Sequence, residues 1–254
     1  MDRITPQRNE SLAASLEPVE LPVRAASSAS VPASTLRVPP TTDPDPWATV
    51  KVWRVFPERI DDPLEYLLSA LDSSERERAH NKQMGQSRRT YLIAHACLRE
   101  VLAAEIGVES REVAFAPPIG LISKPALADS THGLTFNLSH TRGLIVIALA
   151  RGREVGIDVE WVGRRMRETV LSRRHFTETE LSELACVPRV ERMRRFLQLW
   201  TRREAHAKMT GEGLRRAIAD GTGPYGPFGG AASWISDLDL GPDHVGALAV
   251  QLRT

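Results

Sequence analysis

Two pairs of side chains in this sequence are spaced to act together. In Val155-Gly156-Ile157-Asp158-Val159-Glu160 the apolar alternation reads as a strand. Period-two geometry then sends Asp158 and Glu160 to one face and Ile157 and Val159 to the other. Neighbouring carboxylates repel unless positive charge stands between them. A hard divalent cation such as Mg²⁺ suits them, because it takes carboxylate oxygens and shares the rest of its shell with water and phosphate. The same pair on the wet face of an antiparallel strand needs no ion. Further on, Trp200 to Lys208 reads as helix, where Glu204 and Lys208 lie four apart and share a face. A solvated ion pair also satisfies that spacing. However, Trp200 sits on the same face one turn earlier, and Gly211 and Gly213 stop the helix directly afterwards. That face is expected to wall something rather than to lie open.

Phe136-Asn137-Leu138-Ser139-His140-Thr141 ends a short strand in amide, hydroxyl and imidazole groups. Such a turn offers donors to phosphate oxygens, or satisfies its own backbone. Lys124, in an extended segment before Pro125, is a candidate anion ligand. Arg76 and Arg78, and later Arg88, Arg89 and Thr90, fall on helix faces that suit either an anion or plain solvent.

The elements that must position these groups follow from periodicity and punctuation. Residues 1–46 are rich in Pro, Ser, Ala and Thr with no sustained period, so they read as a disordered tail, with order beginning at Trp47. Val50 to Phe56 reads as a strand and Leu64 to Leu71 as a helix. A Ser cap with early acids starts another helix at Ser73. A long amphipathic helix spans about 86–106, with Gly107 as its C-terminal stop. Short strands are expected at 112–116, 134–137, 143–150 and 153–160. Helical stretches follow at 164–174 and 178–186, then a long helix at 189–210. A Gly/Pro-rich loop at 221–230 leads to a hairpin of residues 232–239 and 245–252. The small-residue strand at 143–150 resembles that at 245–252, each closing a run of long helix, loop and strand. This predicts an α+β chain of two similar lobes, residues 47–152 and residues 153–254.

Composition narrows the class. With 254 residues the chain can bury a sizeable core, and its formal charge of +1 draws it to neither nucleic acid nor membrane. Cys97 and Cys186 are its two cysteines, far apart, so no disulfide framework or thiolate zinc site is expected. No apolar run reaches the ~18 residues of a membrane span, and the N-terminus lacks the apolar core of a secretory signal. A cytoplasmic protein is expected.

Taken in order, Phe-Asn-x-Ser-His-Thr, Val-Gly-Ile-Asp-Val-Glu and Leu-Trp-Thr-Arg-Arg-Glu-Ala-x-x-Lys-x-x-Gly-x-Gly-Leu resemble the 4′-phosphopantetheinyl transferases, specifically the two-lobed, surfactin-synthetase-activating type. Glu75-Arg76-x-Arg78-Ala79, Arg89-Thr90-Tyr91-Leu92 with Leu98-Arg99, and Ser123-Lys124-Pro125 fall where that family has matching elements. The resemblance spans residues 47–252 and implies two lobes related by pseudo-two-fold symmetry with the cofactor cleft between them. Ser123 stands where Gly is common, and Arg203 where Lys is frequent.

The resemblance implies an enzyme that moves the phosphopantetheine arm of coenzyme A onto a serine of a carrier protein, releasing adenosine 3′,5′-bisphosphate. Asp158, Glu160 and Glu204 would bind Mg²⁺, with Asp158, Glu204 and Lys208 as the catalytic set. Glu204 is left open as ligand or base. Ser139 and His140 would contact coenzyme A phosphates, Arg78 with Arg76 the 3′-phosphate, and Lys124 and Thr90 the nucleotide. The basic run Arg164, Arg165, Arg167, Arg173 and Arg174, with Val170 and Leu171, is expected to dock an acidic carrier protein. A single chain would build the cleft, so a monomer is expected. A non-catalytic carrier- or nucleotide-binding protein and a metal-dependent phosphohydrolase are the competing readings.

Overall fold

The computed structural model describes residues 10–21, 48–81, 85–117, 124–214 and 233–252. Two units share one connectivity. In the first, β2 (Val50–Val55) leads through α2 (Leu64–Ala70), α3 (Ser73–His80) and α4 (Gln86–Ile106) to β3 (Leu134–Thr141) and β4 (Leu144–Arg151). In the second, β5 (Val155–Trp161) leads through α5 (Glu168–His175), α6 (Glu178–Cys186) and α7 (Arg189–Thr210) to β6 (Ser233–Leu238) and β7 (His244–Gln251). Both sheets are antiparallel and place the last strand between the other two, giving β2-β4-β3 and β5-β7-β6. Val52, Val146 and Ala148 from one sheet share a buried cluster with Ile157, Val159, Leu248 and Val250 from the other. The sheets therefore pack against each other, and each long helix covers an opposite, outer face.

The expected helices and β-strands recur closely, because period and caps are local properties. Asp72 accepts from the Glu75 N–H and Glu75 accepts from the Asp72 N–H, closing a capping box on α3; Thr177 and Glu180 do the same for α6. In both boxes the acid is buried and also binds an arginine of the long helix. Arg99 Nε donates to Glu75 at 2.7 Å, and Arg203 Nε donates to Glu180 at 3.2 Å. The two arginines sit at matching places, each the same number of residues ahead of a left-handed glycine cap, Gly107 or Gly211. These buried pairs fasten α3 to α4 and α6 to α7.

Three expectations need correction. The tail is not wholly disordered: α1 (Glu10–Ala14) buries Leu12 completely, and β1 (Glu17–Pro18) pairs with the outer edge of β2. Composition averaged over the tail hid this short apolar segment; residues 1–9 and 22–47 lie outside the described set. The strand expected at 112–116 reduces to a 3₁₀ turn at Ser110–Glu112 and one bridge, Phe115 to Leu127, because Pro117 can donate no ladder hydrogen bond. The arginine run is helical only from Glu168; Arg164 to Arg167 form an irregular link after the β5 turn. The loop expected at 221–230 lies outside the described residues.

Gly156 decides how closely α7 approaches β5. A Cβ there would stand 2.0 Å from the Ala205 carbonyl oxygen and 2.4 Å from the Met209 nitrogen, both backbone atoms. Gly156→Ala must push the helix off the strand, so we expect a loss of about 3 kcal/mol and a Tm lower by roughly 6–12 °C in a denaturation series. Unchanged stability would mean that the helix is not seated on this glycine.

Candidate active site

The seat of α7 on Gly156 brings the next residues on that face of β5, Asp158 and Glu160, beneath Glu204 and Lys208. These four side chains, with Ser139 and Trp200, line a cleft of about 420 Å³. Both strand carboxylates are 6% exposed. Lys208 Nζ donates to Asp158 Oδ1 at 2.7 Å, to Ser139 Oγ at 3.1 Å and to the Ile157 carbonyl at 3.2 Å. The Ser139 hydroxyl donates to the same Asp158 oxygen at 2.9 Å. Glu160 Oε1 is ion-paired with Arg164.

One oxygen of each strand carboxylate remains. Asp158 Oδ2 and Glu160 Oε2 are buried without a hydrogen-bond partner. A buried charged oxygen left so carries a large desolvation penalty. Hard oxygen donors of this kind fit a divalent cation such as Mg²⁺. The carboxylates are not already gathered as a chelate. Among the described residues no three His, Cys, Asp or Glu side chains stand close enough to hold a metal, and Lys208 occupies the inner oxygen of Asp158.

Glu204 carries the strongest electrostatic signature in the cleft. Burial pushes its pKa up to about 7, the charges of Asp158 and Glu160 add to the rise, and Lys208 and Arg164 offset it only in part. Burial also raises Glu160, against the pull of Arg164. Glu204 thus exchanges a proton near neutral pH, where an ordinary glutamate stays ionised.

The remaining candidates are dispersed. His140 lies exposed at the rim of the cleft. Lys124 is at the far end of β5, where its Nζ donates to Glu154 and to the Val155 carbonyl, both at 2.6 Å. Arg78 Nε donates to the Tyr91 hydroxyl at 3.2 Å, and Thr90 is half-buried in the first turns of α4. Arg76 turns back to the end of α2, donating to the Leu71 carbonyl at 2.9 Å. Arg76, Arg78, Thr90 and Lys124 do not line the cleft that holds Asp158. Ser123 is outside the described residues. Arg164 was read from the sequence only as part of a basic run. Its spacing of four from Glu160 was the missed signal, and the turn after β5 folds it back onto that carboxylate.

The sequence model of the 4′-phosphopantetheinyl transferase superfamily matches residues 154–222, which include β5, α7 and every acid of the cleft. The 4′-phosphopantetheinyl transferase HetI of Nostoc sp. is 32% identical, over 79% of this chain and 87% of its own. The chain belongs to this superfamily and is a phosphopantetheinyl transferase, with coenzyme A as its substrate. Its relatives include Sfp of Bacillus subtilis, 24% identical over 65% of this chain and 72% of Sfp. AcpT of Escherichia coli strain K12 is 35% identical over 35% of this chain and 45% of its own. Among the described residues no helix is long and apolar enough to cross a membrane.

The raised pKa of Glu204 has a stability consequence with a definite sign. The folded protein holds this proton more tightly than the unfolded chain, so the contribution is fully present below about pH 4.5 and is lost as pH rises through about 7. In metal-chelating buffer, Glu204→Gln should therefore raise stability at pH 8 by on the order of 2 kcal/mol, after screening by cleft water. At pH 4.5 it should change little. Equal effects at both pH values would show that Glu204 is not held protonated by its neighbours.

Proposed function

We propose that this enzyme transfers the 4′-phosphopantetheine arm of coenzyme A to a serine hydroxyl of an apo acyl or peptidyl carrier protein in a Mg²⁺-dependent reaction, releasing adenosine 3′,5′-bisphosphate. The observation that carries this reading is the convergence of Asp158, Glu160, Glu204 and Lys208 on one cleft, with two carboxylate oxygens buried and unpartnered. Asp158, Glu160 and Glu204 would hold the ion. When bound, Mg²⁺ would neutralise charge on the pyrophosphate oxygens.

The chain's own groups supply the rest. Glu204, with a pKa near 7, is ionised often enough at neutral pH to take the serine proton, and it is suited to act as base as well as ligand. Lys208 presents a fixed ammonium that neutralises the departing phosphate. His140 at the rim would meet the coenzyme A phosphates beside Ser139, which holds Asp158 and Lys208, while Arg78, Arg76, Thr90 and Lys124, outside that cleft, would serve the nucleotide. We assign residues 47–152 and 153–254 to two lobes related by a pseudo-two-fold axis, which the shared connectivity of the two sheets supports.

The carrier protein docks on α5 and the link before it. Val170 is 60% exposed there, and Arg165, Arg167, Arg173 and Arg174 surround it in solvent. An acidic partner would be steered by those charges and anchored by Val170 and Leu171. One chain supplies the whole site, in keeping with a monomer acting in the cytoplasm.

Incubation with coenzyme A, Mg²⁺ and apo carrier domains, read by intact mass, should show addition of one phosphopantetheine arm. Asp158→Ala and Glu204→Ala should each slow transfer by about 10³-fold; near-normal turnover in either would overturn the site assignment. The double reversal Arg173→Glu/Arg174→Glu should raise the carrier KM roughly tenfold and leave coenzyme A binding intact. An unchanged carrier KM would remove α5 as the docking surface.

A further inference from the structure

β5 is an outer strand of its sheet, and side chains rather than another strand satisfy its free edge. Asn137, Ser139 and Thr141 alternate along one face of β3. Asn137 Oδ1 accepts from the Ile157 N–H at 3.0 Å, Ser139 Oγ from the Val159 N–H at 3.4 Å, and Thr141 Oγ1 from the Trp161 N–H at 3.2 Å. The carbonyls of Val155 and Ile157 accept from Lys124 and Lys208. The counterpart edge, on β2, is met by backbone instead, with β1 pairing to it and the Val19 N–H donating to the Val52 carbonyl at 2.9 Å.

A side-chain seam of this kind sets register. Its donors and acceptors both repeat every second residue, so a slip of one residue would offer Leu138 and His140 to the edge and break all three bonds. Register matters here because the Ser139 hydroxyl is fully committed. Its one hydrogen goes to Asp158, and its two lone pairs accept from Val159 and Lys208. That hydroxyl fixes the inner oxygen of Asp158 and the ammonium of Lys208 against each other; the ladder to β4 holds β3 on one side, and the bonds of Asn137 and Thr141 hold it against β5 on the other.

We infer that Asn137 and Thr141 are positioning residues of the transfer reaction: they lock β3 onto the edge of β5 and thereby hold Ser139 against Asp158 and Lys208. The kinetic part of this inference rests on the function proposed above; the seam itself does not.

The decisive comparison is Thr141→Val, which keeps the shape and removes the acceptor, against Thr141→Ser, which keeps the acceptor. In substrate-free protein, hydrogen exchange at the Trp161 amide should accelerate about tenfold in the valine variant, the equivalent of one lost hydrogen bond, and stay near wild type in the serine variant. In the transfer assay, turnover of the valine variant should fall about tenfold with coenzyme A Kd within twofold, and serine should restore it. Asn137→Ala, read at the Ile157 amide, repeats the test at a second rung. The inference is overturned by unchanged exchange at these amides, by equal losses in the valine and serine variants, or by a defect confined to coenzyme A affinity. Should Asp158→Ala keep full transfer, the proposed reaction site fails while the exchange result still judges the seam.

Discussion

Three carboxylates directed into one cleft repel one another, and the second unit is arranged around containing that repulsion. Asp158 is held by Lys208 and Ser139, Glu160 by Arg164, and Glu204 by raised proton affinity. The Lys208 contact and the raised proton affinity of Glu204 depend on a close approach between α7 and β5 that only Gly156 permits. With a larger residue there the helix would stand farther off, the acids would be better hydrated, and Glu204 would behave as an ordinary surface glutamate. The perturbed chemistry is a consequence of packing.

The same connectivity occurs twice, and the three acids of the cleft all lie in the second unit. Strand pairing matches Trp53 and Val55 of β2 to Asp158 and Glu160 of β5. On the long helices, aligning Arg99 with Arg203 sets Glu100 and Ala104 against Glu204 and Lys208. The first unit shares the capping box, the buried Arg–Glu clamp and the glycine stop. It differs at the positions that match the cleft: Glu100 accepts from the Ser110 hydroxyl at 2.5 Å, and Trp53 packs against a hydrophobic core. The free edges differ in the same sense. On β2 a backbone pairing seals the edge, whereas on β5 polar side chains of β3 bond it.

Much of this was legible beforehand because it is local. Period-two alternation placed Asp158 and Glu160 on one face, and helical spacing placed Glu204 beside Lys208. Caps and glycines marked the ends of α4 and α7, and three ordered motifs identified the family. Where a segment's state depended on distant partners, the reading failed. Leu12 is buried because α1 finds a core formed by α4 and its neighbours, and the strand expected at 112–116 lacked a ladder to join. Arg76 sat in a family motif, yet its guanidinium is turned to the end of α2.

The order of the chain thus determined which residue types were present and which faces they share, since these follow from periods of a few residues. Tertiary structure alone decided that α7 lies close enough to β5 to raise the proton affinity of Glu204, that Arg164 returns to Glu160, and that Asn137, Ser139 and Thr141 serve the edge of a strand some twenty residues away. Desolvation, charge coupling and strand register are set by neighbours in space, and no local period encodes them.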